Sequence, residues 1–225
     1  PVHRPPRVPS DQHPHCRWTV IIDESYPEVP FIPAMDIVAA SHAHSTELDP
    51  IDPNDEGMVD YSGALLSDVD FSAFSHSALV RIADEVCLQG QLLNLGFVLA
   101  VRSRLDDAAA DEIRTKQLTG IAGIAAERIH AALGLPGGVE GALQVLALHP
   151  LLNPAAYVDA EIDHSVVVRR SPAHEDGGWV TLCGPSSVSA LQAAVRGVDP
   201  HLDVSVTGSD QEWVAHVVRR EDPAP

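Results

Sequence analysis

The 225-residue chain reads as an α+β protein: a helical hairpin or bundle core, then a small β-β-α-β-β unit, with an extended proline-rich arm in front. Three observations predict this. Two long stretches between residues 75 and 133 repeat apolar residues at helical spacing. After Glu161 the pattern changes to short, valine-rich alternating runs. Residues 1–16, PVHRPPRVPSDQHPHC, hold five prolines and no apolar period. The expected divisions are the arm at 1–16, a strand and acidic loop at 17–70, a helical region at 71–160 and the α+β unit at 161–225.

Taken in order, RWTVII at 17–22 is the first strand candidate. PEVPFIP has too many prolines for an inner strand, and MDIVAASHAH fits either a short helix or a strand. Residues 47–70 contain eight acids and no base (Glu47, Asp49, Asp52, Asp55, Glu56, Asp60, Asp68 and Asp70) and read as a solvated loop. The first long helix is expected over 75–104. Its stripe is Leu79, Ile82, Val86, Leu93, Phe97 and Val101; Ser75 or Ser77 caps it, and Arg102 and Arg104 complement the dipole at its end.

A second helix is expected over 106–133, opened by Asp106 and Asp107 and stopped by GLPGG. Ile113, Leu118, Ile121, Ile124, Ala125 and Ile129 make it apolar on more than one face. The short LDD connection implies an antiparallel hairpin. Gly120 and Gly123 on this helix suit close helix packing. A third helix covers 139–148, and a fourth starts at Asn153-Pro154 with the asparagine as cap. In the last unit HSVVVRR and GWVTLCG read as strands around a SPAHEDG turn. PSSVSALQAAVRG reads as a helix starting at Pro185 or Ser186, and LDVSVTG and EWVAHVVRR form a hairpin across GSDQ.

Composition limits the function classes. A formal charge of -18, with Lys116 the single lysine, opposes nucleic acid as a partner, because phosphate binding needs clustered Lys and Arg. It also opposes anionic membrane surfaces. No charge-free run is long enough to span a bilayer, and no apolar leader segment is visible, so the expected location is the cytoplasm. Cys16, Cys87 and Cys183 are far apart and lack CxxC spacing; Cys87 and Cys183 fall in apolar patterns that bury free thiols. Protonating all twelve histidines takes the charge from -18 to -6, so association should respond to pH between 7 and 5.

Histidine spacing supplies the metal candidates. His42 and His44 have H-x-H spacing, which on extended backbone sends both imidazoles to one side, with Glu47 as a third ligand. HPHC, with His13, His15 and Cys16, repeats the spacing in the arm. Glu127 and His130 form an E-x-x-H step of the kind used in di-iron bundles, with Asp84 and Glu85 on the preceding helix. DPNDEGMVDYSG at 52–63 copies part of a calcium loop but has Gly63 at the position of the bidentate glutamate. G-x-S-x-G, S-x-x-K and phosphate-binding glycine motifs are absent, although the Ser186 and Ser187 amides could meet an anion at a helix start.

The expectation is therefore an interaction or accessory protein, docking on a protein partner or on a second copy of itself. The alternative is a metal-dependent enzyme that holds a divalent transition metal (Zn, Fe or Mn) through His42 and His44, joined by Glu127 and His130. A third expectation is a small-molecule sensor built on the C-terminal α+β unit.

Overall fold

The computed structural model describes residues 2–3, 16–17, 25, 33–61 and 69–224. It divides into two units, Pro1–Ile32 and Pro33–Pro225. In the first, Val2–His3 (β1) pairs antiparallel with Cys16–Arg17 (β2), Val2 opposite Arg17 and His3 opposite Cys16. The rest of the arm, the strand expected over 17–22 beyond Arg17, and residues 62–68 lie outside the described residues.

The second unit is α+β. Five helices come first: Pro33–Ala39 (α1), His42–Ser45 (α2), His76–Arg102 (α3), Asp107–Leu133 (α4) and Gly138–Ala147 (α5). Then follow strands Ala160–Ile162 (β3) and Val166–Arg169 (β4), helices Pro172–Glu175 (α6) and Ser189–Arg196 (α7), and strands Leu202–Gly208 (β5) and Glu212–Arg219 (β6). The four later strands make one antiparallel sheet in the order β3-β4-β6-β5.

The long helices begin and end where their side chains dictate. The Ser75 hydroxyl accepts the Ala78 N–H at 3.2 Å and the Asp106 carboxylate accepts the Ala109 N–H at 2.9 Å, each filling one of the orphan donors of a first turn. Gly134, in the left-handed region at φ 59°, closes α4 with its N–H on the His130 carbonyl. Sheet parity follows from alternation. Val166 and Val168 face Ala215 and Trp213 across the β4–β6 pair, and Val204 and Val206 face Val217 and Ala215 across β5–β6. These residues share one face, and that face is the core side.

Helices α5 and α7 pack on the sheet, and α4 packs against both, most extensively along α7. The α4–α7 approach depends on small residues. A Cβ on Gly197 would lie 2.7 Å from the Gly123 carbonyl oxygen and 3.3 Å from the Ala126 Cβ, so the two backbones meet closer than any side chain permits. Gly123 thus has the packing role its position implies, while Gly120 faces open space. Among the described residues no helix is long and apolar enough to cross a membrane.

Three elements differ from expectation. GWVTLCG is not a strand: Trp179–Leu182 is a 3-10 turn in which the Thr181 N–H reaches the Gly178 carbonyl and the Cys183 N–H the Val180 carbonyl. Trp179 and Val180 are consecutive and both buried, which a two-sided alternation cannot achieve. The first hairpin instead turns at residues 163–165, earlier than the SPAHEDG segment, which supplies α6. No helix starts at Asn153. Its Nδ2 instead donates to the Ala147 and His149 carbonyls behind α5, and the turn after Pro154 stops because the Ala173 N–H occupies the Tyr157 carbonyl. Finally, α7 starts at Ser189, not at Pro185 or Ser186, because the Ser187 N–H folds back on the Gly184 carbonyl.

Candidate functional site

The H-x-H pair lies on α2, and its backbone is helical. Successive helical residues are about 100° apart, so His42 and His44 point to opposite sides, contrary to the extended geometry that would aim both at one ion. Ala43 between them is buried and both histidines are exposed. Ser41 sets the turn, accepting the His44 N–H at 3.2 Å and donating to the Val38 carbonyl at 2.7 Å.

What holds α2 is a pair of adjacent carboxylates at the end of α6. Asp176 Oδ1 accepts the His42 N–H at 2.9 Å, and Oδ2 accepts the Ala43 N–H at 2.8 Å. The Tyr157 hydroxyl donates to the same Oδ2 at 2.9 Å. Glu175 Oε2 meets His42 Nε2 at 2.9 Å. Burial, and then the Asp176 charge, push the Tyr157 phenol far above its ordinary range, so it remains a donor at every pH the fold experiences. Helix start, carboxylate and phenol form a closed clasp: Asp176 takes two helix N–H groups and one O–H, and its oxygens have little left for a ligand. His44 and Glu47, on the exposed side, have no side-chain partner among the described residues.

Glu127 and His130 sit near the end of α4. Glu127 is exposed, and His130 Nε2 lies 3.2 Å from the Pro136 carbonyl, securing the chain where it leaves the helix. On α3, Glu85 is engaged by Arg81 through Nε and Nη2 at 3.0 and 2.8 Å. Among the described residues no group of three or more His, Cys, Asp or Glu side chains is placed to hold a metal ion. His42, His44, Glu127 and His130 therefore reach the fold as two separate pairs with separate neighbours, and the metal reading gains no donor set from the geometry.

The acidic loop supports the start of α3. Asp55 Oδ2 accepts the Ser77 N–H at 2.6 Å, which lowers its carboxyl pKa, and the Asp52 N–H donates to Ser77 Oγ at 3.1 Å. Asp52 Oδ1 accepts the Asn54 N–H and its side-chain amide, a local turn. Gly57, at φ 119°, lets Met58 bond the backbone of residues 73 and 75; a Cβ there would lie 2.6 Å from the Ser75 nitrogen. Of the carboxylates at calcium-like positions of the loop, Asp52 is thus engaged by its own turn, while Asp55, which holds the start of α3, is not at one of those positions. Cys87 and Cys183 are buried free thiols, pushed up by burial to about 11 and about 12, and neither is a nucleophile at neutral pH.

Glu175, Asp176 and Tyr157 had no signal in the sequence. The contact from Asp176 to His42 spans 134 residues, and a local pattern carries nothing about such a pair. Comparison with protein-family models, curated proteins and solved structures gives no match.

Proposed function

We propose that the chain is an interaction protein that works as a self-associated subunit, with α3 of one copy meeting α3 of a second. The observation that carries this is the outward face of α3. The sequence stripe there is not the face the core uses: Cys87, Leu88, Gln91, Asn94 and Val98 are buried, whereas Val86 is 64% and Leu93 74% exposed. Leu79, Val86, Leu93 and Ala100 are spaced by seven, the repeat that keeps one seam of a helix against a partner helix. Residues 86–101 contain no charged side chain. In a chain of net charge -18, a second copy is repelled almost everywhere, and this stretch is where close approach meets no like charge. A two-fold axis across the stripe would bring each seam against itself, as isologous dimers require.

A cytoplasmic setting belongs to this reading, supported by the two buried free thiols, which suit a reducing compartment. Sedimentation equilibrium tests the association. The expected result is a dimer at micromolar concentration, with Leu93→Glu weakening it at least about tenfold because two buried carboxylates would face each other. The substitution should leave the melting temperature of dilute protein unchanged, since the side chain is exposed. A chain that stays monomeric at all concentrations, or a dimer indifferent to Leu93→Glu, overturns the proposal.

A further inference from the structure

A second feature lies in the C-terminal unit, away from α3. A cavity of about 320 Å³ is lined by Arg170, His174, Val180, Thr181, Cys183, Ser186, Asp210 and Trp213. Five separate pieces of chain supply these residues: the residue after β4, α6, the 3-10 turn at Trp179–Leu182, the turn before α7, and the β5–β6 hairpin.

The Thr181 hydroxyl is spent on the Gly178 carbonyl, but other polar groups of the lining are preset and unused. The Ser171 N–H donates to His174 Nδ1 at 3.1 Å, so the neutral ring must carry its proton on Nε2. Burial and the Arg170 charge hold the ring below its ordinary range, which keeps that tautomer at neutral pH. Nε2–H has no partner among the described residues. Trp213 is only 2% exposed as a residue; its indole N–H also has no partner among the described residues and, unlike that of Trp179, is not sealed from solvent. Gly184, at φ 133°, lies flat over the pyrrole edge of that ring, where a Cβ would be 3.5 Å from Nε1. The Arg170 guanidinium and the Asp210 carboxylate line the same cavity, and neither forms an ion pair with the other or with any described residue.

Two opposite charges that share a cavity without pairing, beside two free N–H donors and an apolar wall, define a ligand. A simple anion would meet Asp210, and a simple cation would meet Arg170. We propose that this cavity binds a small zwitterion of the amino-acid type. Its carboxylate meets Arg170 and His174 Nε2–H, its ammonium meets Asp210, and its side chain lies along Val180 and Trp213. The volume is at the low end of the roughly 300–1,000 Å³ of small-molecule sites, which suits a single amino acid and is too small for a dinucleotide. Bidentate capture of a carboxylate is the recognition that a guanidinium performs best.

The test is a thermal-shift screen of the intact chain against the twenty standard amino acids at about 10 mM, followed by calorimetry on the best binder. The best binder is then compared with its N-acetyl and its carboxamide derivatives. The expected result is saturable one-to-one binding, lost about tenfold or more on N-acetylation and likewise on amidation. Arg170→Gln should weaken the amino acid but not its amide, and Asp210→Asn should weaken the amino acid but not its N-acetyl form. Both side chains are exposed and bear no structural contact, so the variants should fold. Binding of the N-acetyl form or the amide as tightly as the free amino acid, unchanged affinity in both variants, or no shift with any of the twenty overturns the proposal. The self-association of α3 is measured separately and does not depend on the outcome.

Discussion

His149 is 1% exposed and fully committed. Its Nδ1 accepts the Leu151 N–H at 3.1 Å, so Nε2 carries the proton and donates to the Ala122 carbonyl at 3.0 Å, fastening the α5 exit to the middle of α4. Burial holds its pKa below the ordinary 6.5, although the Ala122 carbonyl opposes this. A depressed folded-state pKa means the stabilisation is complete above the unfolded value and is lost as pH falls: below about 6.5 the unfolded chain takes a proton that the folded site refuses. Urea unfolding between pH 7.5 and 5.5 should therefore show stability declining with acid. His149→Gln, less stable at pH 7.5 by about 1–3 kcal/mol, should show a shallower decline. An equal slope in both proteins would remove His149 as the cause. None of this was legible from the sequence, where His149 follows the helix expected over 139–148 with no pattern to mark it. A histidine's burial depends on what folds over it.

At the scale of elements, the helices were the most legible part and the irregular segments the least. Ser75 and Asp106 announced their helices because a cap is a local interaction, complete within three residues. GWVTLCG misled because its aromatic and β-branched residues Trp179, Val180 and Thr181 fit a strand, while its backbone bonds are local and the neighbours Trp179 and Val180 both turn inward. The α3 stripe misled in another way: periodicity identifies an apolar face but not which body covers it. The clasp on α2 tests an element-level claim. Asp176→Ala should remove both N–H acceptors at the helix start and strand the buried Tyr157 hydroxyl, a loss of about 3 kcal/mol. Hydrogen exchange at His42 and Ala43 in α2 should then accelerate well before α3 opens. Exchange at these two amides that still tracks global unfolding would show that apolar packing, not the carboxylate, seats α1 and α2.

For the whole molecule, charge sets the terms of association. Two copies at -18 each place -36 on a dimer, so repulsion between them opposes assembly at low ionic strength. An uncharged α3 seam gains nothing from ion pairs that salt could weaken. Dimerisation should therefore tighten several-fold as salt rises from about 0.05 to 0.5 M, where the screening length falls from above 10 Å to a few ångströms. Sedimentation at both ionic strengths measures this, and a dimer that dissociates with salt would indicate charged contacts in place of the apolar seam. The sequence showed the charge and the apolar excess directly. It did not show the cavity, because Arg170, His174, Asp210 and Trp213 come from three elements and meet only once the sheet is formed.

The Asp176 clasp also imposes an order of events on the growing chain. Its two ends are 134 residues apart, so α2 has no seat when it leaves the ribosome. At about 5–20 residues per second, synthesis of the intervening chain takes on the order of ten seconds. Throughout that interval the HAH segment waits for a carboxylate that does not yet exist, while α3 and α4, capped by their own neighbours, can already be helical. The N-terminal part of this unit is among the first to be made and among the last to be fixed in place.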